Sequence, residues 1–405
     1  MKPGPRTFST LSRYTSLGLF FLAPLLVSAQ TPDVLLMNGG RLALVKKTWK
    51  TDNETGQLVK SLQKQADRLL NTAPVSVMDK ASTPESGTKH DYMSQAPYFW
   101  YDSSKPNGKP YLRRDGQHNP ETYKIADHKN MSDLSSTTQT LAMAWYLTGD
   151  EKYAKKATTL LRYWFFDDAT KMNPNLEYAQ AIPGVNNGRG IGIIESAALT
   201  GIADAEGLLK SSKSWTDKDD KALKRWYSQY LDWMLTSKNG QDEHAAKNNH
   251  GTWYYVQVVD YALFTGDKAK AAALAKESRG ILDNQIQKDG TMPLELDRTN
   301  GLAYSTFNLQ AWFRLATLAE KTGIDLWNYR NKQGATLRTA FNWLKPYALG
   351  EKAWTYQQIS EYKKNTFYSM LLEAGNRYSD PEYLASAKQL SVQANDKVAD
   401  LLYGR

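Results

Sequence analysis

Cysteine is absent from this chain of 405 residues. Its absence excludes a disulfide framework, a thiolate zinc site, a thiol nucleophile and a lipid-modified cysteine. The sequence also lacks any apolar run of the roughly 20 residues that a membrane-spanning helix needs, and it has no Lys/Arg run of the kind that forms a charged tail. We therefore expect core burial alone to stabilise the fold, and we expect the basic residues to gather in a groove only after folding.

The first thirty residues have the pattern of an export signal. Lys2, Arg6 and Arg13 precede an apolar stretch at 17–26, and Val-Ser-Ala at 27–29 fits a cleavage site. Segment 1–29 is therefore predicted to be a signal peptide that is cut near Ala29, and the mature protein is expected in the periplasm or outside the cell. An uncleaved membrane anchor is the alternative. No membrane association is expected after cleavage.

Charge and aromatic content indicate the class of partner. The formal net charge is +9, and three of those charges belong to segment 1–29. A basic surface attracts polyanions, and export argues against nucleic acid. The 12 Trp and 24 Tyr exceed what a plain helical protein needs, and although most are expected in the core, such rings can also cover the apolar face of a sugar. The predicted partner is an acidic polysaccharide, and a monomer without cofactor or metal is expected.

The spacing of apolar residues predicts an all-α fold, with almost no strand-like alternation. Thr-Gly-Asp at 148–150 and again at 265–267 marks a helical hairpin, because Gly ends one helix and Asp caps the next. Looser copies surround 322–325 and 375–376. Repeated hairpins indicate an α/α array. We expect residues 30–405 to form a single α/α toroid, incomplete or nearly closed, and an open solenoid is the alternative.

Three stretches interrupt the helical pattern: residues 83–131, 173–192 and 289–304. Long segments without regular structure inside a compact domain are usually functional loops. The first is dense in Pro, Gly, Tyr and Arg. These loops are predicted to form a cleft at one end of the toroid, long enough for a polymer.

Two polar segments, each at the mouth of an apolar helix, contain the candidate catalytic residues. The first is Lys-Asn-Asn-His-Gly-Thr-Trp-Tyr-Tyr at 247–255, which includes Asn249 and His250. The second, 295–304, includes Arg298 and Tyr304. Taken singly each is a weak indication, since a lone His is more often structural, Arg298 could be the ion-pair partner of Asp297, and Tyr304 could be an ordinary aromatic at a helix start.

Together these residue types match the requirements of β-elimination at a uronic acid. The C5 proton is barely acidic until donors such as Asn, Arg or His neutralise the neighbouring carboxylate. A base then removes that proton, and an acid protonates the O4 leaving group. His250 can serve as a base near neutral pH. Tyr304 is a natural acid, and it can act as a base only if a cation such as Arg298 lowers its pKa.

The sequence resembles the alginate-lyase group, polysaccharide lyase families five and thirty-eight. The resemblance is carried by Asn-Asn-His-Gly-Thr-Trp-Tyr at 248–254, by the Arg and Tyr about fifty residues later, and by the stretch 90–116, which is more similar to family thirty-eight. It covers roughly residues 32–400. The Trp-His pair and nearby Lys that family five has in its first loop are not matched.

The resemblance implies an α/α toroid and a lyase acting on a polyuronate, with alginate first and glucuronan next. It implies that Asn249 and Arg298 neutralise the substrate carboxylate, that His250 is base or neutraliser, and that Tyr304 is acid or acid/base. Further residues are expected at sugar subsites, from the resemblance or from their place in these motifs: Tyr92, Gln95, Trp100, Arg113, Arg114, Asn187, Arg189, Asn248, Trp253 and Tyr254.

Some alternatives concern individual loops. The Asn-Asn-Gly-Arg-Gly-Ile-Gly stretch at 186–192 is only superficially like a phosphate loop, since no strand precedes it and the Walker-type Lys is absent. A substrate loop is preferred, in which Arg189 grips a carboxylate and Glu195 orients Arg189. A structural turn is equally compatible. The acidic residues Asp133, Asp167 and Asp168 fit no known metal loop.

Two alternatives concern the whole function. A glycoside hydrolase on the same toroid needs two opposed carboxylates, for which Glu195, Glu295 and Asp297 are candidates. A non-catalytic glycan-binding protein would keep the aromatic and Arg residues but would not need His250 and Tyr304 together.

Overall fold

The computed structural model describes residues 1–4, 31–394 and 396–404. The predicted signal segment therefore falls almost wholly outside the described residues. Two-stranded sheets are formed by β1 (Met93–Gln95) with β4 (Tyr178–Ala181), in parallel, and by β2 (Phe99–Trp100) with β3 (Leu112–Arg113), antiparallel. The helices, in chain order, are α1 (Gly39–Thr48), α2 (Asn53–Leu69), α3 (Asp127–Thr148), α4 (Glu151–Phe165), α5 (Thr200–Leu209), α6 (Asp217–Thr236), α7 (Lys238–His244), α8 (Asn249–Phe264), α9 (Lys268–Glu277), α10 (Arg279–Gln285), α11 (Pro293–Leu296), α12 (Gly301–Glu320), α13 (Leu337–Leu349), α14 (Asn365–Arg377), α15 (Pro381–Ala394) and α16 (Lys397–Tyr403).

The helices form two concentric layers. The inner helices α3, α5, α8, α12 and α14 each contact the next, and α14 contacts α16. α16 packs on α1 and α2, and these two pack on α3, so the helices at the two ends of the chain complete the ring. Helices α4, α6, α9, α13 and α15 cover the outside. The fold is therefore an α/α toroid, as the hairpin pattern predicts.

The segment before α1 is fastened to the inner ring. The buried Asp204 carboxylate on α5 accepts the backbone N–H groups of Leu36 and Met37, the latter at 2.6 Å. The Lys321 ammonium donates to the Val34 carbonyl at 2.8 Å. Three amides converging on one carboxylate, with Leu35 as the third, satisfy a charge that would be costly to bury alone.

The Thr-Gly-Asp signals are confirmed in detail. Gly149 ends α3 in the left-handed conformation with φ 75°, and the Asp150 side chain accepts the Lys152 N–H to begin α4. Likewise the Asp267 side chain accepts the Lys270 N–H at the start of α9.

The looser copies of the hairpin are only partly correct. The Asp325 side chain caps an isolated turn by accepting the Asn328 N–H, and the next helix begins only at Leu337. Near 375–376 the helix continues, and the turn comes after Arg377. In both places a turn does occur near the predicted position, but tertiary packing decides at which residue the helix ends or the next one begins.

The first two irregular stretches contain the short strands, and the 3₁₀ helix Pro120–Lys124 lies in the first while Gly190–Leu199 begins in the second. A further 3₁₀ helix, Val77–Asp79, precedes the first stretch, and the third stretch contains α11. Tyr304 lies in the first turn of α12 rather than in the loop before it. Within the described residues, no helix is both long and apolar enough to span a bilayer.

Candidate active site

A cavity of about 950 Å³ opens at one end of the toroid, and it collects residues from all three irregular stretches. Its volume lies near the upper end of the range of about 300–1,000 Å³ that is typical of ligand-binding pockets in proteins. Most of the predicted site residues line it: Gln95, Arg113, Arg189, Asn248, Asn249, His250, Trp253, Arg298 and Tyr304.

His250 is oriented by a buried carboxylate. Its Nδ1 lies 2.8 Å from Oε1 of Glu243, which is on α7 and is 1% exposed. An acceptor at Nδ1 selects the tautomer that carries its proton there, which leaves Nε2 able to accept a proton. The backbone also fixes the ring, because the Asn248 side chain caps α8 by accepting the His250 N–H at 3.2 Å. His250 is therefore placed as a base would be.

Asn249 is oriented by a second buried carboxylate. Glu295 accepts the Asn249 backbone N–H at 2.6 Å with one oxygen and the side-chain Nδ2 at 2.7 Å with the other. Burial raises the pKa of Glu295, and the two hydrogen bonds from Asn249 oppose that rise. Asn249 lines the cavity, and its amide nitrogen carries a second hydrogen that has no acceptor among the described residues.

The Tyr304 hydroxyl is joined to one tyrosine and one arginine. It lies 2.8 Å from the Tyr98 hydroxyl and accepts a 2.8 Å hydrogen bond from Nη2 of Arg298. The Arg298 guanidinium also lies 3.7 Å from the centre of the Tyr304 ring. Burial and then Tyr98 raise the pKa of Tyr304, while the positive charge of Arg298 opposes the rise. The phenol therefore keeps its proton at neutral pH, which suits a proton donor.

Arg298 is paired with Asp115 of the first irregular stretch, and not with Asp297. Its Nε and Nη2 donate to the two Asp115 oxygens at 3.0 and 2.7 Å. Burial alone would raise the pKa of Asp115, but the hydrogen bonds and charge of Arg298 lower it to about 2. Arg113 also donates to Asp115 at 2.7 Å. Two cations thus share one carboxylate, which leaves net positive charge at the cavity wall.

Arg189 faces the cavity without a carboxylate partner among the described residues. Its Nη2 donates to the Gln180 side chain at 2.9 Å, and its guanidinium lies 5.2 Å from the centre of the Phe99 ring. Burial, with Arg113 nearby, lowers its pKa. Gln180 has φ 49°, a strained conformation for a residue other than glycine. Glu195 does not hydrogen-bond to Arg189 as predicted; it accepts the hydroxyls of Tyr92 and Ser94.

Five predicted subsite residues do not line the cavity. Tyr92 is 0% exposed, and Tyr254, at 2%, donates its hydroxyl to the Met234 carbonyl. Both side chains are buried too deeply to touch a glycan, so their prediction as substrate contacts is corrected to packing. Trp100 donates to the Gln117 carbonyl and stacks under Arg114, and Asn187 donates to Glu85. Arg114 and Asn187 are exposed and Trp100 is half-buried, and the three do not line the cavity.

Several cavity residues went unpredicted: Tyr98, His118, Tyr123, His128, Gln180 and Phe307. Glu243, Asp115 and Glu295 had not been expected to act as partners of the catalytic candidates. The aromatic string 98–101 was the available clue for Tyr98. No local pattern identifies Asp115, because its partner is distant in sequence. The imidazole of His118 stacks on Tyr123 with ring centres 5.2 Å apart.

The described residues contain no group of three or more His, Asp or Glu side chains that could hold a metal ion. Asp133 pairs with Lys129, and Asp168 pairs with Lys171.

The toroid, its cavity and the His, Asn, Arg and Tyr set within it define a polysaccharide lyase. The family described as Alginate lyase matches residues 76–354, and the chain belongs to this family. The substrate of the family is an acidic polysaccharide.

Solved structures agree. The crystal structure of an alginate lyase from Bacteroides ovatus is 40% identical, with a TM-score of 0.88, covering 92% of this chain and 99% of that one. Alginate lyase A1-III from Sphingomonas species A1 is 14% identical, with a TM-score of 0.51 and coverage of 86% and 88%. A variant of A1-III complexed with a tetrasaccharide is 17% identical, with a TM-score of 0.52 and coverage of 80% and 88%. These two share the fold. A comparison with curated proteins finds no match.

Proposed function

We propose that this lyase cleaves alginate by β-elimination, with His250 as the base and Tyr304 as the acid. The observation that carries the proposal is that both side chains line one cavity while each is oriented by its own partner, Glu243 for His250 and Arg298 for Tyr304. Preorganised groups of this kind lower the barrier because they need not reorient during the reaction.

In the proposed reaction Asn249 donates an amide hydrogen to the C6 carboxylate of the reacting uronate, which stabilises the charge that develops there. Nε2 of His250 removes the C5 proton, and Glu243 stabilises the resulting imidazolium. The electron pair of the C5–H bond forms the C4–C5 double bond, and the C4–O4 bond breaks. Tyr304 gives its proton to O4. One product ends in a 4,5-unsaturated uronate, and the other in a new hydroxyl.

The main role that we propose for Arg298 differs from the one that the sequence predicts. Two of its three nitrogens are committed to Asp115, so we assign it first to holding Tyr304 and only second to the substrate carboxylate. Arg113 and Arg189 supply the positive charge for carboxylates of neighbouring sugars, with Gln95, Asn248 and Trp253 completing the wall. Trp100, Arg114 and Asn187 could meet only a chain that extends beyond the cavity.

The arrangement of the carboxylates argues against a glycoside hydrolase. Glu295 is occupied by Asn249, and Glu195 by two hydroxyls. Both carboxylates are therefore already engaged, and the third candidate, Asp297, does not line the cavity, whereas hydrolysis needs two free carboxyl groups facing the scissile bond.

The test is to incubate the protein with purified alginate and glucuronan and to follow near-UV absorbance. Elimination creates an absorbing double bond, whereas hydrolysis creates only reducing ends. Absorbance with alginate supports the proposal, absorbance with glucuronan alone reassigns the substrate, and reducing ends without absorbance overturn the lyase chemistry.

We also propose that the chain is exported, with cleavage near Ala29, and that it works as a monomer in the periplasm or outside the cell. The basic and apolar pattern of segment 1–29 supports export. The N-terminal sequence of the mature protein and its mass in solution would test both points.

A further inference from the structure

A second compartment, of about 390 Å³, adjoins the catalytic cavity. The two share three lining residues, Tyr98, Tyr304 and Phe307. The far wall of the compartment is formed by residues of the segment 360–366, and Gln310 on α12 also lines the compartment. Its volume is within the range of about 300–1,000 Å³ typical of small-molecule sites. A polymer that passes Tyr304 on leaving the cavity would therefore enter a space large enough for a sugar.

The far wall is fastened to the helix that carries Tyr304. The Gly301 N–H donates to the Gln357 carbonyl at 2.9 Å, and the Ile359 N–H donates to the Thr299 carbonyl at 3.0 Å. The Asn300 side chain accepts the backbone N–H of Ser360 at 3.0 Å. The Asn300 side chain makes no cap bond at the start of α12. The Gly301 N–H is satisfied there by the Gln357 carbonyl, and the Leu302 N–H by the Gln358 side chain at 3.2 Å. The compartment is thus held in fixed relation to the proposed acid.

The chemistry of the walls suits an acidic sugar. Lys363 is the one cation among the lining residues, and in the described parts of the chain no carboxylate lies within ion-pairing distance of it. Glu361, also on the wall, has no cation within ion-pairing distance among the residues that the structure describes, and its carboxylate can accept hydrogen bonds from sugar hydroxyls. Tyr98, Phe307 and Tyr362 offer ring surfaces to the apolar face of a pyranose, and the Tyr362 hydroxyl is fixed 2.9 Å from that of Thr306.

We propose that this compartment is a subsite for the uronate next to the reacting sugar, and that Lys363 pairs with its carboxylate. The inference rests on the proposed lyase function and deepens it. It assigns to segment 360–366 a part in substrate binding. The glycosidic bond that is cleaved would then lie beside Tyr304, where the two compartments meet. An exposed Lys is suited to this task because its flexible side chain lets the ammonium reach a substrate carboxylate. The ammonium also stays hydrated in the free enzyme, so no charge has to be buried there.

The kinetic test compares Lys363→Met and Lys363→Glu with Lys364→Glu as the matched control. Lys364 is adjacent but lines neither compartment. KM for the polyuronate should rise about threefold in Lys363→Met and about tenfold in Lys363→Glu, as expected for loss and reversal of a solvent-accessible ion pair. The kcat should change little, and added salt should narrow the difference between Lys363→Met and the wild type.

A binding test separates this inference from the lyase chemistry. In a Tyr304→Phe background, calorimetry with a saturated oligouronate should show Lys363→Glu weakening the Kd about tenfold, and Lys364→Glu leaving it near the starting value. Equal behaviour of the two charge reversals overturns the subsite while the lyase function stands. If the wild type forms no double bond from any polyuronate, the lyase function and the subsite for its substrate fall together.

Discussion

Asp115 and Arg298 form a two-pronged ion pair, with both Asp115 oxygens accepting from one guanidinium across 183 residues of sequence. The pair ties the first irregular stretch to the loop before α12, and through Arg298 it reaches the Tyr304 hydroxyl. Paired donors of this geometry fix orientation as well as charge. The position of the proposed acid therefore depends on a residue that touches no part of the reaction.

Asp115→Asn should lower kcat by about one to two orders of magnitude, as substitutions that disturb the orientation of a catalytic group commonly do. Asn cannot accept from both guanidinium nitrogens, so Arg298 is no longer held against Tyr304. Steady-state kinetics on the polyuronate provide the measurement. Asp133→Asn, which removes an exposed pair with Lys129, is the control, and equal losses in both would contradict the positioning role.

Tyr304→Phe should reduce kcat at least about a hundredfold, the usual contribution of a general acid, with KM little changed. The ring is retained and can keep its contact with the Arg298 guanidinium, which lies 3.7 Å from its centre in the wild type, so the melting temperature should stay close to the wild-type value. Double-bond formation under saturating substrate is the readout. A variant that keeps more than a tenth of the activity would remove Tyr304 from the role of acid.

Glu243→Gln should lower kcat about ten- to a hundredfold, the range found when the partner that orients a histidine is removed. Gln can present its NH₂ group to Nδ1, which favours the wrong tautomer and gives no stabilisation to the imidazolium. The dependence of kcat on pH should change in shape as well as in its maximum value. The exposed Glu277, which contacts His244, provides Glu277→Gln as the control, and an unaltered Glu243→Gln enzyme would argue that His250 is not the base.

Arg189→Met should raise KM about tenfold while kcat falls less, because a charged hydrogen bond to a substrate carboxylate is lost. Arg114→Met removes a guanidinium that stacks on Trp100 outside the cavity, and it should raise KM less than Arg189→Met on any polyuronate. A larger effect from Arg114 would restore it as a subsite residue.

Glu206→Gln should stabilise the protein at alkaline pH but not at acid pH. Burial raises the pKa of Glu206 to about 7, with Lys210 opposing and Asp220 adding to the rise. The folded state therefore holds this proton more tightly than the unfolded state, so stability falls as pH rises from about 4.5 through 7. Gln mimics the protonated form.

Thermal unfolding of Glu206→Gln and wild type at pH 5 and at pH 8.5 measures this effect. The two melting temperatures should agree at pH 5, and the variant should melt higher at pH 8.5. Glu54→Gln, on an exposed site at the start of α2, should show no such difference. A variant that is less stable at both values would mean that the Glu206 carboxylate is ionised in the fold.

The sequence by itself determined the helical class, the two Thr-Gly-Asp hairpins and the motifs around His250 and Tyr304. These depend on local rules, because apolar spacing, a left-handed glycine and a capping aspartate act within a few residues. The chemistry of the motifs could also be read locally, since the types of side chain needed for uronate elimination are few.

Only the tertiary structure decided the partners and the shape of the site. Asp115 reaches Arg298, Glu295 reaches Asn249, and Tyr98 reaches Tyr304, each from a different part of the chain. It also decided that Tyr92 is buried, although Ser94 and Gln95 shortly after it line the cavity. Pairings between distant residues follow from how the helices and loops pack. No pattern within one segment records which carboxylate will meet which cation.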